Sequence, residues 1–110
     1  MKGTQLGEFE ELVLLTVGAL YPEAYGVAVM DEILNEIGRS VNISAIHSAL
    51  RRLESKGFVK SHMGGATNER GGRRKRYFEL TAFGKKALDD AQDLRMRLYK
   101  RIPDISFGQS

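Results

Sequence analysis

Phe58-Val59-Lys60-Ser61-His62-Met63, then Gly64-Gly65-Ala66-Thr67-Asn68-Glu69-Arg70-Gly71-Gly72 and, after Arg73, Arg74-Lys75-Arg76-Tyr77-Phe78-Glu79-Leu80 is where the sequence changes character. The outer two runs carry the β-branched and aromatic residues that suit a pleated strand. The middle run is glycine-rich, polar and too long for a tight turn. The three together read as an antiparallel hairpin with a flexible tip.

Upstream, Gly57 closes a helical run that begins near Ser44, which is placed to cap it. Ile46, Ala49, Leu50 and Leu53 form its apolar stripe, leaving Ala45, His47, Ser48, Arg51, Arg52 and Ser55 on a polar, increasingly basic face. The alternation in Ser40-Val41-Asn42-Ile43 predicts a short strand before it. A second helix is expected from about Tyr25 to Ile37, with Val29, Ile33 and Ile37 in one row and Gly38 as its C-cap. The first runs from Glu8 to Leu20, where Phe9, Leu12, Val13, Thr16, Val17 and Leu20 make an apolar sector wide enough to be covered by the domain and by a second subunit. Tyr21-Pro22-Glu23 ends it, because proline has no amide hydrogen to give.

Downstream, Thr81 can cap a fourth helix reaching about Arg101, before Pro103. Its Ala87, Ala91, Leu94 and Leu98, with Leu88 alongside, form a seam suited to a partner helix. Phe83 and Ala87 can pack within their own core, whereas Leu94, Leu98 and Ile102 lie about 15 Å or more along the helix, beyond the reach of one small core. The element order is that of a winged helix-turn-helix: mainly α with a small β-wing, followed by a C-terminal dimerisation helix. At 110 residues one domain is expected, with residues 1–84 as the winged helix-turn-helix, 85–102 as the dimerisation helix and 103–110 as a disordered tail.

The net charge of +3 conceals an asymmetry. Residues 1–50 hold two basic and seven acidic side chains, and residues 77–110 six and five. Residues 51–76 hold nine basic ones against Glu54 and Glu69, a local +7 that reads as a polyanion footprint. In a helix-turn-helix the start of the third helix reads bases, so Ser44, Ala45, His47 and Ser48 are assigned to the major groove, and Arg51 and Arg52 to phosphates. Lys60, Arg70, Arg73, Arg74, Lys75 and Arg76 belong to the wing, where they can reach phosphates or the minor groove. Period 2 sends Arg73 and Lys75 to one face and Arg74 and Arg76 to the other, so about half of them should touch DNA.

Other chemistries find little support. With no cysteine there are no disulfides, thiolate metal sites or cysteine nucleophiles. His47 and His62 lack metal-ligand spacing, so neither metal nor cofactor is expected. Lys85, Lys86 and Arg97 stand four residues from Asp89, Asp90 and Asp93, which reads as surface ion pairs rather than an acidic site. Gly64-Gly65 and Gly71-Gly72 match no phosphate-binding loop and read as wing flexibility, and no serine sits in a nucleophile elbow, so no enzyme is expected. The longest apolar run, Leu12 to Tyr21, is about half of what a membrane span needs, and Glu8, Glu10 and Glu11 precede it where a signal peptide would carry positive charge. A cytoplasmic location is expected.

The chain resembles the PadR family of bacterial transcription regulators. The resemblance rests on Leu6-Gly7-Glu8-Phe9-Glu10-Glu11-Leu12, on Ala24-Tyr25-Gly26-Val27, on Ala49-Leu50-Arg51-Arg52-Leu53-Glu54 with Gly57, and above all on Glu69-Arg70-Gly71-Gly72-Arg73-Arg74-Lys75-Arg76-Tyr77-Phe78 with Leu80, Thr81 and Gly84. It implies a homodimer that binds a roughly palindromic operator on double-stranded DNA, usually as a repressor. It also implies that the C-terminal helix carries dimerisation; Tyr25 is counted with the DNA-contacting residues, and Leu12, Leu88, Ala91, Leu94 and Leu98 with the dimerisation residues. The length is similar to that of the family's short branch, which keeps one C-terminal helix, so any small-molecule effector would have to bind at the subunit interface. Where many members carry tyrosine near the start of the recognition helix, this chain has His47. The alternatives are an architectural or RNA-directed protein without a dedicated operator, and a winged-helix module for protein contact, which would leave the basic segment without a purpose.

Overall fold

A computed structural model describes residues 6–64 and 74–105. The apolar stripes of the first three helices meet in one core. Helix α1 (Glu8–Leu20) contributes Val13, Leu14 and Val17, α2 (Gly26–Ile37) contributes Val29 and Ile33, and α3 (Ile43–Ser55) contributes the four residues of its stripe. All are buried, and each large aliphatic side chain removed from water contributes about 1.5–3 kcal/mol. Helix α2 ends as expected on Gly38, whose φ of 68° suits glycine and whose N–H donates to the Leu34 carbonyl at 2.8 Å.

The segment before α3 differs from the expectation. Residues 40–43 form no strand, and the cap is Asn42, not Ser44: its Oδ1 accepts from the Ala45 N–H at 2.8 Å. The alternation has a different cause. Asn42 is extended, as an N-cap must be, and Val41 and Ile43 flank it by packing on the core, but no neighbouring strand offers a ladder. Extended backbone with alternating burial is a strand only when a partner pairs with it.

The hairpin pairs β1 (Val59–Met63) with β2 (Arg76–Leu80) antiparallel, Val59 facing Leu80 and Met63 facing Arg76. Phe58, Arg74 and Lys75 fall outside the ladder. Phe78 is buried in β2, and its N–H donates to the Ala24 carbonyl at 2.8 Å, so the turn after α1 lies along the second strand.

Helix α4 (Ala82–Lys100) starts where the hairpin ends, and Phe58 holds both. The Phe58 carbonyl accepts from the Thr81 N–H at 3.0 Å, Thr81 Oγ1 donates to the Gly57 carbonyl at 2.7 Å, and that hydroxyl accepts from the Gly84 N–H at 2.9 Å. The expected Thr81 cap is thus formed. Gly84 is buried against the same carbonyl, and a Cβ built there would overlap the Phe58 backbone. Beyond the core α4 is exposed from Gln92 onward, with Leu94 and Leu98 about half accessible. Lys85 and Lys86 pair with Asp89 and Asp90 at 2.8 and 3.2 Å, whereas Asp93 and Arg97 do not meet and Arg95 instead binds Glu11 on α1 at 2.6 Å. Gly84→Ala should lower stability by about 1–3 kcal/mol through overpacking, and urea unfolding followed by circular dichroism would measure it. An unchanged midpoint would mean that the joint yields.

Candidate nucleic-acid interface

The face of α3 turned away from the core carries the residues assigned to base reading. Ser44 and His47 are exposed, and Ala45 and Ser48 are half-buried. Arg51 is exposed and makes no hydrogen bond or ion pair with the described residues. His47 leans on the first residue of α2: a side chain at Gly26 would come within 2.7 Å of the imidazole. The glycine after Tyr25 thus allows the two helices of the helix-turn-helix to approach, and His47 has a packing role on the reading face.

Arg52 is tied inward. Its Nε donates to Glu10 Oε2 at 2.6 Å, and Lys56 Nζ donates to Glu10 Oε1 at 2.8 Å, so one carboxylate on α1 holds two cations on α3. Burial by itself raises the pKa of Glu10, but the hydrogen bonds and charges of Lys56 and Arg52 outweigh it and hold the carboxyl below its usual range. Arg52 still leaves about half of its side chain in solvent. Ser48, Arg51, Arg52, Ser55 and Lys56 line one surface depression.

On the wing the cations are placed unequally. Arg76 donates to Ser61 Oγ at 3.0 Å, and that hydroxyl donates to Glu54 on α3 at 2.8 Å, a bridge from helix to hairpin. Lys60 lies 3.9 Å from Glu79 but is two-thirds exposed. Arg74 donates to the Gly64 carbonyl at 3.3 Å. Lys75 Nζ stands 4.3 Å above the Tyr25 ring, which meets Tyr77 edge-on at 5.7 Å. Tyr25 therefore sits between α2 and the wing. His62 stacks on the other side of Tyr77 at 5.8 Å, and a side chain at Gly64 would strike the same ring, so this glycine serves packing at the hairpin neck. Arg70 and Arg73 lie outside the described residues.

The structure thus gathers Ser44, Ala45, His47, Ser48 and Arg51 on one face, while Arg52 is engaged by the Glu10 carboxylate and Arg76 by the Ser61 hydroxyl. Sequence reasoning missed Glu10. The signal was present: Glu10, Val13, Leu14 and Val17 fall at i, i+3, i+4 and i+7, so a carboxylate stands on the buried stripe of α1 and needs a cation. Among the described residues no three His, Asp or Glu side chains gather as metal ligands would, and no helix is long and apolar enough to cross a membrane.

Because the folded Glu10 stays ionised where the unfolded chain already takes up a proton, stability is fully present above about pH 4.5 and is lost as pH falls through the lower folded value. Thermal unfolding between pH 7 and 3 should show this acid loss in the wild type and a shallower one in Glu10→Gln. Parallel pH profiles would show that the pair contributes nothing to folding.

The fold matches known proteins. The model of the transcriptional regulator PadR-like family matches residues 13–90. A PadR-like transcription factor from Bacteroides fragilis superposes with a TM-score of 0.71 at 19% identity, covering 86% of this chain and 85% of that one. A PadR family regulator from Clostridium difficile gives 0.69 at 24% identity, covering 86% and 93%. Bacillus subtilis PadR, in complex with operator DNA, gives 0.66 at 18% identity and covers 96% of this chain but 53% of its own. No curated protein sequence matches the chain. These identities carry the fold alone, whereas the family model spans most of the residues from α1 to α4; the chain belongs to the PadR-like family of transcriptional regulators.

Proposed function

We propose that the chain is a dimeric, sequence-specific repressor that occupies a roughly palindromic operator, working in the cytoplasm. The observation that carries this is the outer face of α3, where the polar side chains of Ser44, His47 and Ser48 and the small Ala45 stand beside Arg51, which makes no hydrogen bond or ion pair with the described residues. Such a face suits the major groove, with base reading at the helix start and phosphate contact from Arg51 and Arg52. Tyr25, Lys60, Arg74, Lys75 and Arg76 stand beside it toward the wing, where backbone and minor-groove contacts are expected, joined by Arg70 and Arg73. Bacillus subtilis PadR, whose structure holds operator DNA, supports DNA as the partner. The RNA-directed alternative loses support, because single-strand readers stack bases on exposed aromatics. Here Phe58 and Phe78 are buried, and Tyr77 is half-buried between Tyr25 and His62.

Dimerisation is assigned to α4 and α1. Leu94 and Leu98 are about half exposed, Leu12, Leu88 and Ala91 are partly so, and Leu6, Phe83, Ala87, Ala91, Leu94 and Leu98 line a groove that a second α4 would fill. Two α3 helices would then enter successive major grooves about 34 Å apart.

Anisotropy against duplexes tiling the promoter of its own transcription unit, with scrambled DNA and single-stranded RNA as competitors at about 150 mM salt, should show one tile preferred by about 10³-fold or more. Equal binding to every duplex would make the protein architectural, and no binding would remove the reading altogether. Arg51→Ala should weaken all duplexes alike and flatten the salt dependence by nearly one log unit, while Ser48 substitutions should change which tile is preferred. Leu94→Asp with Leu98→Asp should give a monomer in sedimentation equilibrium and lose operator affinity; a persisting dimer would place the interface elsewhere.

A further inference from the structure

Glu10 stands beneath the basic surface of α3, on a different helix and with a side chain only 10% exposed. Both of its oxygens are taken, one by Arg52 and one by Lys56, and both cations line the same depression as Ser48 and Arg51. Three cations therefore share one surface with one buried carboxylate under two of them. Among the described residues the adjacent Arg51 meets no such counter-charge, so neighbouring arginines on one helix present different effective charges to a polyanion.

We propose that Glu10 sets the strength with which α3 binds the DNA backbone, by offsetting the charge of Arg52 and Lys56 and fixing their positions. It is a positioning residue and touches no DNA itself. Two physical consequences follow. Affinity for any duplex rises with each phosphate neutralised, so a cation already compensated adds less to sequence-independent binding. A guanidinium held by its Nε also keeps one geometry, which suits a phosphate at one register and gives up the adaptable contacts that a free arginine makes along any duplex. Because the carboxylate is shielded from solvent, added salt screens this offset less than it screens the attraction to DNA. Glu10 thus trims the unspecific part of binding and leaves the start of α3 untouched. The assignment rests on the DNA-binding reading above.

The test is the affinity of wild type and Glu10→Gln for a scrambled duplex, measured by anisotropy over a range of salt. Glu10→Gln should bind roughly fivefold tighter at 150 mM salt, with a log–log slope steeper by about 0.9. Arg52→Gln should flatten the slope much less than Arg51→Gln in the wild type, and as much as Arg51→Gln once Glu10 is replaced. A merely structural role would not produce this reversal. Should Glu10→Gln fail to fold, the comparison of Arg51→Gln with Arg52→Gln in the wild type decides: equal losses overturn the proposal and unequal ones support it. Wild type that binds duplex DNA while Glu10→Gln matches it in affinity and slope overturns the role of Glu10 alone. Wild type that binds no duplex overturns the DNA reading and this proposal with it.

Discussion

The peptide unit at Phe58 is the joint on which the arrangement depends. Its N–H donates to the Leu53 carbonyl at 2.9 Å, closing α3, and its carbonyl receives the Thr81 N–H at the start of α4. Its ring is fully buried and stacks on Phe83 at 5.1 Å. One residue thus closes α3, leads into β1, and seats α4. Gly84 is required by the same closeness, since only a residue without Cβ lets α4 lie on this carbonyl.

Much of this was legible in the sequence, because it rests on periodicity and local chemistry. The stripe Ile46, Ala49, Leu50 and Leu53 is the set buried on α3, and Gly38 and Thr81 cap as their residue types predict. Where reading failed, the pattern was right and the partner was missing. Val41 and Ile43 do alternate inward around an extended Asn42, but whether such a segment is a strand depends on a neighbour that local sequence does not specify. The bridge from Ala24 to Phe78 was hidden for the same reason: its residues lie far apart in the chain and nothing local links them.

The interface shows the same division. The nine basic residues from Arg51 to Arg76 pointed to a polyanion surface, yet a count treats every cation as equal. The fold makes them unequal. Glu10 lies 42 residues from Arg52 and 46 from Lys56, and Glu54 reaches Arg76 only through Ser61. Among the described cations of this segment, Arg51, Arg74 and Lys75 meet no carboxylate: Arg74 reaches the Gly64 carbonyl, Lys75 is drawn over the Tyr25 ring, and Arg51 makes no hydrogen bond or ion pair with the described residues. Position relative to distant carboxylates, not number, decides which charge a polyanion meets. His47 teaches a related lesson: the sequence assigned it to the major groove, and the fold also sets its ring against Gly26.

These restraints act together on α3. Asn42 caps its start, His47 rests on α2, Glu10 holds its last turns to α1, and Phe58 joins its end to the wing. Helix, turn and hairpin are thereby tied together, and Thr81 and Gly84 fix where the chain leaves them. In the proposed dimer each reading helix is carried at one end of an α4 that meets its partner at the other. The separation of the two reading helices is then set by the angle at which α4 leaves Phe58, and a small rotation there is magnified along a helix of 19 residues. In the proposed operator the half-sites lie about one helical turn of DNA apart, and the packing of α4 on Phe58 is what would set the two α3 helices to that spacing.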